Sequence, residues 1–209
     1  MKKLALLLIL VLVFSLAACG KTSDGKTDSD TTTTTTTVAA PTRSDTFTVG
    51  TVNGSSYENA FFGLGCALDS DWTIDNAATC NAALSQASDL NTAAANAQLF
   101  DDMIAFNSTN ECMVRITVEN LASLWDHVPS LEEYTAVQRT MNESNPDLVL
   151  EDITAAVGSL TCTGLRITVN ENQVDTFYYL LAGKYMVSLL ISAPDAATAE
   201  QVLAQFYTF

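Results

Sequence analysis

Residues 174–192 read VDTFYYLLA, then GK, then YMVSLLIS. Both longer runs are rich in aromatic and apolar residues, as strands are, and Gly183-Lys184 is a two-residue connection typical of a β-hairpin. Side chains alternate between the two faces of a strand, so one of each neighbouring pair, such as Tyr178 and Tyr179, is expected in the core. The stretch therefore predicts two adjacent antiparallel strands, at 174–182 and 185–192.

More strands are predicted upstream of this hairpin. Residues 148–157 and 159–169 precede it directly. Residues 98–106 and 111–120 form a further predicted pair across a polar turn, with Val114, Ile116 and Val118 on one apolar face. Strands that are close in sequence and joined by short turns favour an antiparallel sheet.

The chain before Trp72 also carries strand signals. Residues 46–52 alternate polar and apolar side chains and meet Asn53-Gly54, a strong turn signal. Residues 57–68 are predicted to form one strand. Its larger side chains share one face: Phe62, Leu64, Cys66 and Leu68.

Helices are predicted in four places. Residues 76–88, with Asp75 near the N-cap, and residues 91–97 are rich in alanine and asparagine. Ser130-Leu131-Glu132-Glu133 is a capping box that begins a helix through about Met141, and helical spacing places Leu131, Tyr134, Val137 and Met141 on its inner side. Pro194-Asp195 introduces a last helix at 196–206. The fold class is therefore predicted to be α+β, a mostly antiparallel β-sheet with packed α-helices.

The domain resembles the Mog1/PsbP-like fold. The resemblance rests on Tyr57-x-Asn59, Phe61-Phe62-Gly63-Leu64-Gly65 with the nearby Trp72, the strand from Val114 to Leu121, and the closing Gln205-Phe206. The chain departs from the PsbP pattern at Asp69-Ser70-Asp71, where a proline is usual, and in the long segment between Trp72 and Asp101. Proteins of this fold include photosystem subunits, nuclear transport factors and bacterial lipoproteins, so the resemblance implies a fold and no single function.

The amino terminus has the layout of a secretory signal peptide. Lys2 and Lys3 precede an apolar run at 4–13, which is too short to span about 30 Å of hydrocarbon. Leu16-Ala17-Ala18-Cys19 resembles the lipobox of bacterial lipoproteins, which implies that residues 1–18 are removed and Cys19 is lipidated. The chain would then be lipid-anchored on the outer face of the bacterial cytoplasmic membrane. The alternative is ordinary secretion with an incidental cysteine.

Residues 19–45 are predicted to be a disordered, threonine-rich tether. Seven consecutive threonines occupy 31–37, and the segment has no periodic apolar face that could offset the entropy of ordering. As a flexible coil it would hold the domain on the order of 30 Å from the lipid. A plain spacer remains the alternative, and glycosylation of the threonines is undecided. The folded domain is predicted at 46–209.

The charge of the chain excludes one class of partner. The formal net charge is −15, and residues 46–209 hold twenty acidic side chains against four basic ones: Arg115, Arg139, Arg166 and Lys184. Such a surface is repelled by phosphate backbones, so no nucleic-acid binding is expected.

The domain contains four cysteines, an even number, as in disulfide-bonded proteins outside the cytoplasm. Cys66 with Cys80 would close a short loop and leave Cys112 with Cys162. Separate buried thiols remain an alternative for the second pair. No metal site is expected, because the cysteines form no C-x-x-C pair and lack a nearby histidine.

Few residues indicate catalysis. His127 is the only histidine, and a loop position before Pro129 is favoured over a role as a catalytic base. Asp69-Ser70-Asp71-x-x-x-Asp75 lacks the central glycine and closing glutamate of a calcium loop. Two adjacent acidic pairs, Asp101-Asp102 and Glu132-Glu133, are assigned to a strand and to a first helical turn.

We therefore predict no catalytic residues and no cofactor. The expected function is a non-enzymatic, membrane-anchored lipoprotein that binds or scaffolds another protein of the cell envelope. A small-ligand-binding lipoprotein is the alternative, and a hydrolase that uses His127 is the third hypothesis.

Overall fold

A computed structural model describes residues 44–209. The predicted signal peptide, the lipidation residue Cys19 and the tether up to residue 43 lie outside the described residues. Within the described part, no helix has the length and apolar character needed to cross a bilayer.

Eleven strands form two sheets in the described chain. The strands are β1 (Thr51–Asn53), β2 (Ser56–Asn59), β3 (Leu64–Ala67), β4 (Trp72–Asn76), β5 (Leu99–Asn107), β6 (Cys112–Asn120), β7 (Val149–Val157), β8 (Leu160–Asn170), β9 (Gln173–Ala182), β10 (Tyr185–Ala193) and β11 (Phe206–Thr208). The small sheet has the order β1-β2-β3-β11, and the large sheet has the order β4-β5-β6-β10-β9-β8-β7. All neighbouring strands are antiparallel.

Six helices connect or cover these strands in the described residues. They are α1 (Ala77–Cys80), α2 (Ala82–Ser85), α3 (Leu90–Asn96), α4 (Leu121–Leu124), α5 (Leu131–Glu143) and α6 (Ala196–Leu203). The α+β class predicted from the sequence is confirmed. The capping box at the start of α5 is confirmed too, because Ser130 and Glu133 each accept a hydrogen bond from the backbone N–H of the other.

Two cores lie on opposite faces of the large sheet. The larger core joins that sheet to the small sheet and to α6, and its side chains include Leu64, Val114, Leu189 and Val202. The smaller core lies under α4 and α5, where Leu121 and Tyr134 pack against Leu165, Tyr179 and Met186. The adjacent residues Tyr178 and Tyr179 therefore enter different cores, as strand alternation requires.

The predicted hairpin at 174–192 is confirmed as β9 and β10. Gly183 has φ of +61°, whereas Lys184 does not have a positive φ, so glycine occupies the first turn position. That arrangement fits a type II′ turn, whose twist matches the twist of the strands that it joins. Gly158, with φ of +57°, serves the same purpose between β7 and β8.

Four predicted elements differ from the structure. The strand predicted at 46–52 is a strand only from Thr51, because the segment before it bonds to side chains: Val49 N–H donates to Asn91 Oδ1, and Thr48 O accepts from Asn59 Nδ2. The strand predicted at 57–68 is broken into β2 and β3, since Asn59 Oδ1 accepts the N–H groups of the two residues that follow Ala60.

The other two corrections concern helices. The helix predicted at 76–88 is two single turns, and its N-cap is Asn76, since the side chain of Asn76 accepts the N–H of Thr79. The last helix ends at Leu203 instead of Phe206, and the chain continues into β11, where Phe206 pairs with Cys66. Phe206 is still buried, so the prediction that it faces the core is confirmed, whereas the prediction that it is helical is wrong.

Candidate functional site

His127 lies on the surface, and none of residues 44–209 completes a catalytic triad with it. Its side chain is 63% exposed, and its Nε2 is 3.7 Å from Glu133 Oε2. That carboxylate is already engaged by the backbone N–H of Ser130, which is the main reason the pKa of Glu133 is lowered. Ser130 Oγ accepts from Glu133 N–H, so the serine serves the helix cap and gives no sign of activation as a nucleophile.

The acidic loop before β4 is a turn. Asp69 Oδ1 accepts the N–H of Asp71 at 3.0 Å, which is the local bond of an Asx-turn. Among residues 44–209, no group of three or more His, Cys, Asp or Glu side chains is placed to hold a metal ion.

The four cysteines of the domain are free thiols in the structure, and neither expected pair is bridged. Cys112 lies on β6 and Cys162 on β8, with β10 and β9 between them. Three strand spacings amount to about 14 Å, which is twice the largest Cα separation that a disulfide tolerates. The order of the strands therefore separates this pair.

Burial also keeps the thiols protonated. It raises the pKa of Cys66 to about 12 and the pKa of both Cys80 and Cys162 to about 11. A thiol is a nucleophile or a metal ligand only as the thiolate, so these cysteines do not have the properties of reactive residues.

Asp102 is the best-connected carboxylate of the larger core. It is fully buried and accepts three hydrogen bonds: from Gly50 N–H at 2.8 Å, from Tyr57 Oη at 2.5 Å and from Asn59 Nδ2 at 2.8 Å. Burial raises the pKa of Asp102, and the three donors act against that rise. The network joins β5 to β2 and to the segment that precedes β1.

A β-bulge points Asp102 inward and leaves Asp101 on the opposite face. The register of β5 against β6 shifts between Asp101 and Met103. The backbone of Asp101 is held by the side-chain amide of Asn81, which accepts from its N–H at 3.0 Å and donates to its C=O at 2.7 Å. β4 ends before this point, so the amide of Asn81 takes the position of a neighbouring strand. Sequence reasoning found the acidic pair but had no signal for the bulge.

Glu119 is the buried carboxylate of the smaller core. It is 9% exposed and accepts one hydrogen bond, from Tyr134 Oη at 2.5 Å. Burial raises the pKa of Glu119, and the bond from Tyr134 opposes the change. Neither buried carboxylate lines the two best-formed depressions, and each is bonded within the protein, so we assign both to the scaffold.

The outer face of the large sheet is only half covered. α5 packs on β7, β8 and β9, whereas on β4 and β5 the described chain places only the single helical turn α1, which contacts their ends. Two rows of aligned side chains form what we call the open face: Thr73, Phe106 and Met113 in one row, and Ile104, Arg115 and Leu190 in the other. Phe106 is 49% exposed, an unusual fraction for a phenylalanine in a sheet.

The open face carries negative charge at its ends. Arg115 forms a bidentate ion pair with Asp101, at 2.7 and 2.8 Å, which neutralises the one cation of the two rows. Asp75 lies beside Ile104 at the β4 end of one row, and Asp175 lies beyond Ser192 at the β9 end of the other. The open face is therefore an apolar strip with net negative charge.

The best-formed depressions in the described chain are open to solvent. One, of about 360 Å³, is next to the open face and is lined by residues that include Phe106, Met113 and Glu111. Another, of about 510 Å³, lies near the start of the small sheet and is lined by Val49, Glu58 and Phe209 among others. Small-ligand sites usually enclose most of their ligand and present converging polar groups, and neither depression has this form.

No protein-family model matches the chain, and no curated protein matches it. Among solved structures, the chain is similar to the cyanobacterial PsbP (CyanoP) from Synechocystis sp. PCC 6803, a solution structure. The sequence identity is 10% and the TM-score is 0.43; the similarity covers 76% of this chain and 95% of that chain. The identity is too low for any residue or role of that protein to be assigned to this chain.

Proposed function

We propose that this chain is a non-enzymatic lipoprotein of the cell envelope, anchored through Cys19, whose domain binds a partner protein through the open face. The observation that carries the binding role is the uncovered apolar strip around Phe106. Exposed apolar patches on soluble domains are frequently protein-binding sites. The proposal rests on the described surface for binding and on the sequence of residues 1–19 for anchoring.

A flat surface favours a protein partner over a small ligand. The side chains of the open face belong to neighbouring strands of one sheet, so they form a plane with few converging polar groups. The adjacent depression of about 360 Å³ widens this surface and does not enclose a ligand.

The partner segment proposed for this surface is an amphipathic helix with basic residues. On the same face of the same sheet, α5 covers the neighbouring strands with its apolar side and Tyr134. A second helix of about 10 Å diameter would cover the remaining strands in the same way. Since Asp75 and Asp175 lie at the ends of the apolar rows, lysine or arginine near the ends of that helix would complement them.

Site-specific photocrosslinking in intact cells tests the binding surface. A photoreactive residue at Phe106 is expected to give a discrete adduct, and mass spectrometry should map it to a basic, helix-forming segment of another protein. The matched control is Leu181, which is 41% exposed on the same sheet face at the far end of β9. Equal adducts at the two positions, an adduct to an acidic segment, or no adduct at Phe106 would contradict the proposed surface.

The anchor has a separate test. The parent chain should incorporate labelled fatty acid and fractionate with membranes, whereas Cys19→Ala should lose both properties. Two acyl chains hold a protein stably on a membrane, while one holds it only marginally, so loss of the diacylated cysteine is expected to release the chain. A Cys19→Ala protein that still fractionates with membranes would contradict the anchoring and leave the binding surface unaffected.

A further inference from the structure

The two edges of the large sheet differ in how much of their backbone is covered. At the β4 edge, α1 follows the strand and Asn81 bonds to the backbone of Asp101, so the part of β5 beyond β4 is capped. At the other edge, β7 is nine residues long and pairs only with β8 in the described chain. β11 contacts its last residues and the turn that follows, where Ser159 N–H donates to Thr208 Oγ1, and the edge of the strand before that point is uncovered. Val149 at its start is 67% exposed. Long uncovered edge strands are templates for pairing with another strand.

The hairpin geometry fixes which backbone groups of β7 are free. Val157 and Leu160 flank a two-residue turn, so they form a hydrogen-bonded pair, and hydrogen-bonded pairs then recur at every second residue. The N–H and C=O groups of the intervening residues point away from β8. These residues are Leu150, Asp152, Thr154 and Ala156.

The charge on the β7 edge is partly neutralised by ion pairs. Its two carboxylates are each paired with an arginine of the same domain: Asp152 Oδ1 is 2.7 Å from Arg139 Nη1, and Glu151 Oε2 is 3.5 Å from Arg166 Nη1. Two of the four basic side chains of residues 46–209 therefore flank this strand. Each arginine is shared with a second carboxylate, Arg139 with Glu143 and Arg166 with Glu200, so two arginines face four carboxylates. Residues 46–209 as a whole hold four basic against twenty acidic side chains, so a second acidic copy meets less repulsion at β7 than over the rest of the domain.

We propose that two copies of this chain associate through their β7 strands, antiparallel and centred on Ile153, so that two seven-stranded sheets join into one. In this register Leu150 pairs with the partner copy's Ala156, and Asp152 pairs with its Thr154. Every outward-facing N–H and C=O group of the four free residues then has a partner. The inference concerns self-association and stands independently of the anchoring and of the open face.

Side-chain pairing selects this register. Centring the pair on Asp152 would place two aspartates directly opposite each other, which destabilises a strand pair. Centring it on Ile153 places the two isoleucines opposite each other and sets Glu151 against Ala155. No like charges are then opposite, and the apolar pair at the centre is of a favourable kind.

Disulfide trapping in cells that express the full chain tests the register. Opposite residues of a non-hydrogen-bonded pair have Cα atoms about 4.5 Å apart, so Ile153→Cys should form a covalent dimer under mild oxidation. The matched control is Thr154→Cys, whose copies would be roughly 9 Å apart and out of reach. The parent chain, with Cys66, Cys112 and Cys162 buried, supplies the background.

A second variant tests the association without a cysteine. Thr154→Pro removes an outward N–H and leaves the hydrogen bonds to β8 intact, because Thr154 and Thr163 form a non-hydrogen-bonded pair. Light scattering of the full chain in detergent should give twice the monomer mass for the parent and for Thr154→Val, and the monomer mass for Thr154→Pro. A monomeric parent, equal trapping at positions 153 and 154, or trapping of Ile153→Cys only to a different protein would overturn the proposal.

Discussion

Asp102 and Glu119 are both buried carboxylates, and the fold surrounds them differently. Asp102 has three hydrogen-bond donors from two segments, Gly50 before β1 and Tyr57 and Asn59 on β2, whereas Glu119 has Tyr134 alone. Burial raises the pKa of each carboxyl, and the hydrogen bonds oppose this effect in both. We infer from the comparison that the number of donors, more than burial itself, determines how much of the structure depends on a buried acid.

The two acids also join different parts of the molecule. Asp102 ties β5 to β2 and to the segment before β1, so it helps to hold the small sheet against the large one. Glu119 ties β6 to α5 through one hydroxyl group. Loss of the Asp102 carboxylate should therefore weaken the larger core, while loss of the Glu119 carboxylate should weaken only the packing of α5 on the large sheet.

The largest expected effect is that of Asp102→Ala. It leaves three buried donors without an acceptor, at roughly 1–3 kcal/mol each, so the free energy of unfolding should fall by at least about 3 kcal/mol. Glu119→Ala leaves one hydroxyl group and should cost about half as much or less. Urea unfolding of the two variants and the parent measures the difference, and equal losses would show that the donor count is not decisive.

The neutral amide variants sharpen the comparison. Asparagine at position 102 offers one acceptor oxygen to three donors and turns its own NH₂ group toward at least one of them, so Asp102→Asn should cost about 2 kcal/mol. Glutamine at position 119 keeps an acceptor for Tyr134 Oη, and its cost should be within about 0.5 kcal/mol. The same denaturation experiment distinguishes the two results. A costly Glu119→Gln would indicate that the charge of Glu119 is needed.

The tyrosines should show the reverse order. Tyr57→Phe leaves Asp102 with two donors and should cost about 1 kcal/mol at neutral pH. Tyr134→Phe removes the one side-chain donor of Glu119 and should cost nearer 2 kcal/mol under the same conditions. Thermal unfolding of the two variants, side by side, provides the measurement. A larger loss for Tyr57→Phe would mean that the remaining donors of Asp102 do not compensate.

These two sites also show where sequence reasoning succeeds. The capping box of α5, the hairpin of β9 and β10 and the alternation along β6 depend on residues close together in the chain, and all were predicted. The position of Tyr134 on the inner side of α5 follows from the same helical spacing. Local patterns therefore located one of the two partners of the Glu119 site.

The Asp102 site depends on contacts between distant residues, which periodicity does not reveal. Its bulge is held by Asn81, twenty residues away, and its donors come from residues 43–52 positions earlier. The proposed pairing of Cys112 with Cys162 had the same difficulty, because the order of strands in the sheet separates two residues that sequence parity alone leaves undecided. The open face was not visible either, since it depends on which strands α5 leaves uncovered.

The smallest expected effect is a difference in pH dependence. A carboxyl whose pKa is raised in the folded state binds its proton more tightly there than in the unfolded chain. Its contribution to stability is present below the ordinary value, 4.5 for Glu119, and is lost as the pH rises through the folded value. Glu119→Gln removes this loss, so the variant should gain stability relative to the parent between pH 4 and pH 8.

The carboxyl at the start of α5 supplies a control of opposite sign. Hydrogen bonds from Ser130 lower the pKa of Glu133, so its contribution is present above the ordinary value and is lost as the pH falls through the lowered one. As the pH rises toward 4.5, Glu133→Gln should therefore lose stability relative to the parent, and above 4.5, where Glu119→Gln gains, its deficit should stay constant. Both residues contact α5 or its cap, so opposite slopes would arise from their different surroundings. Glu119 is a buried acid with one donor, whereas Glu133 is an exposed acid at a helix N-terminus. Urea unfolding at four pH values resolves the slopes, and parallel slopes would contradict this account.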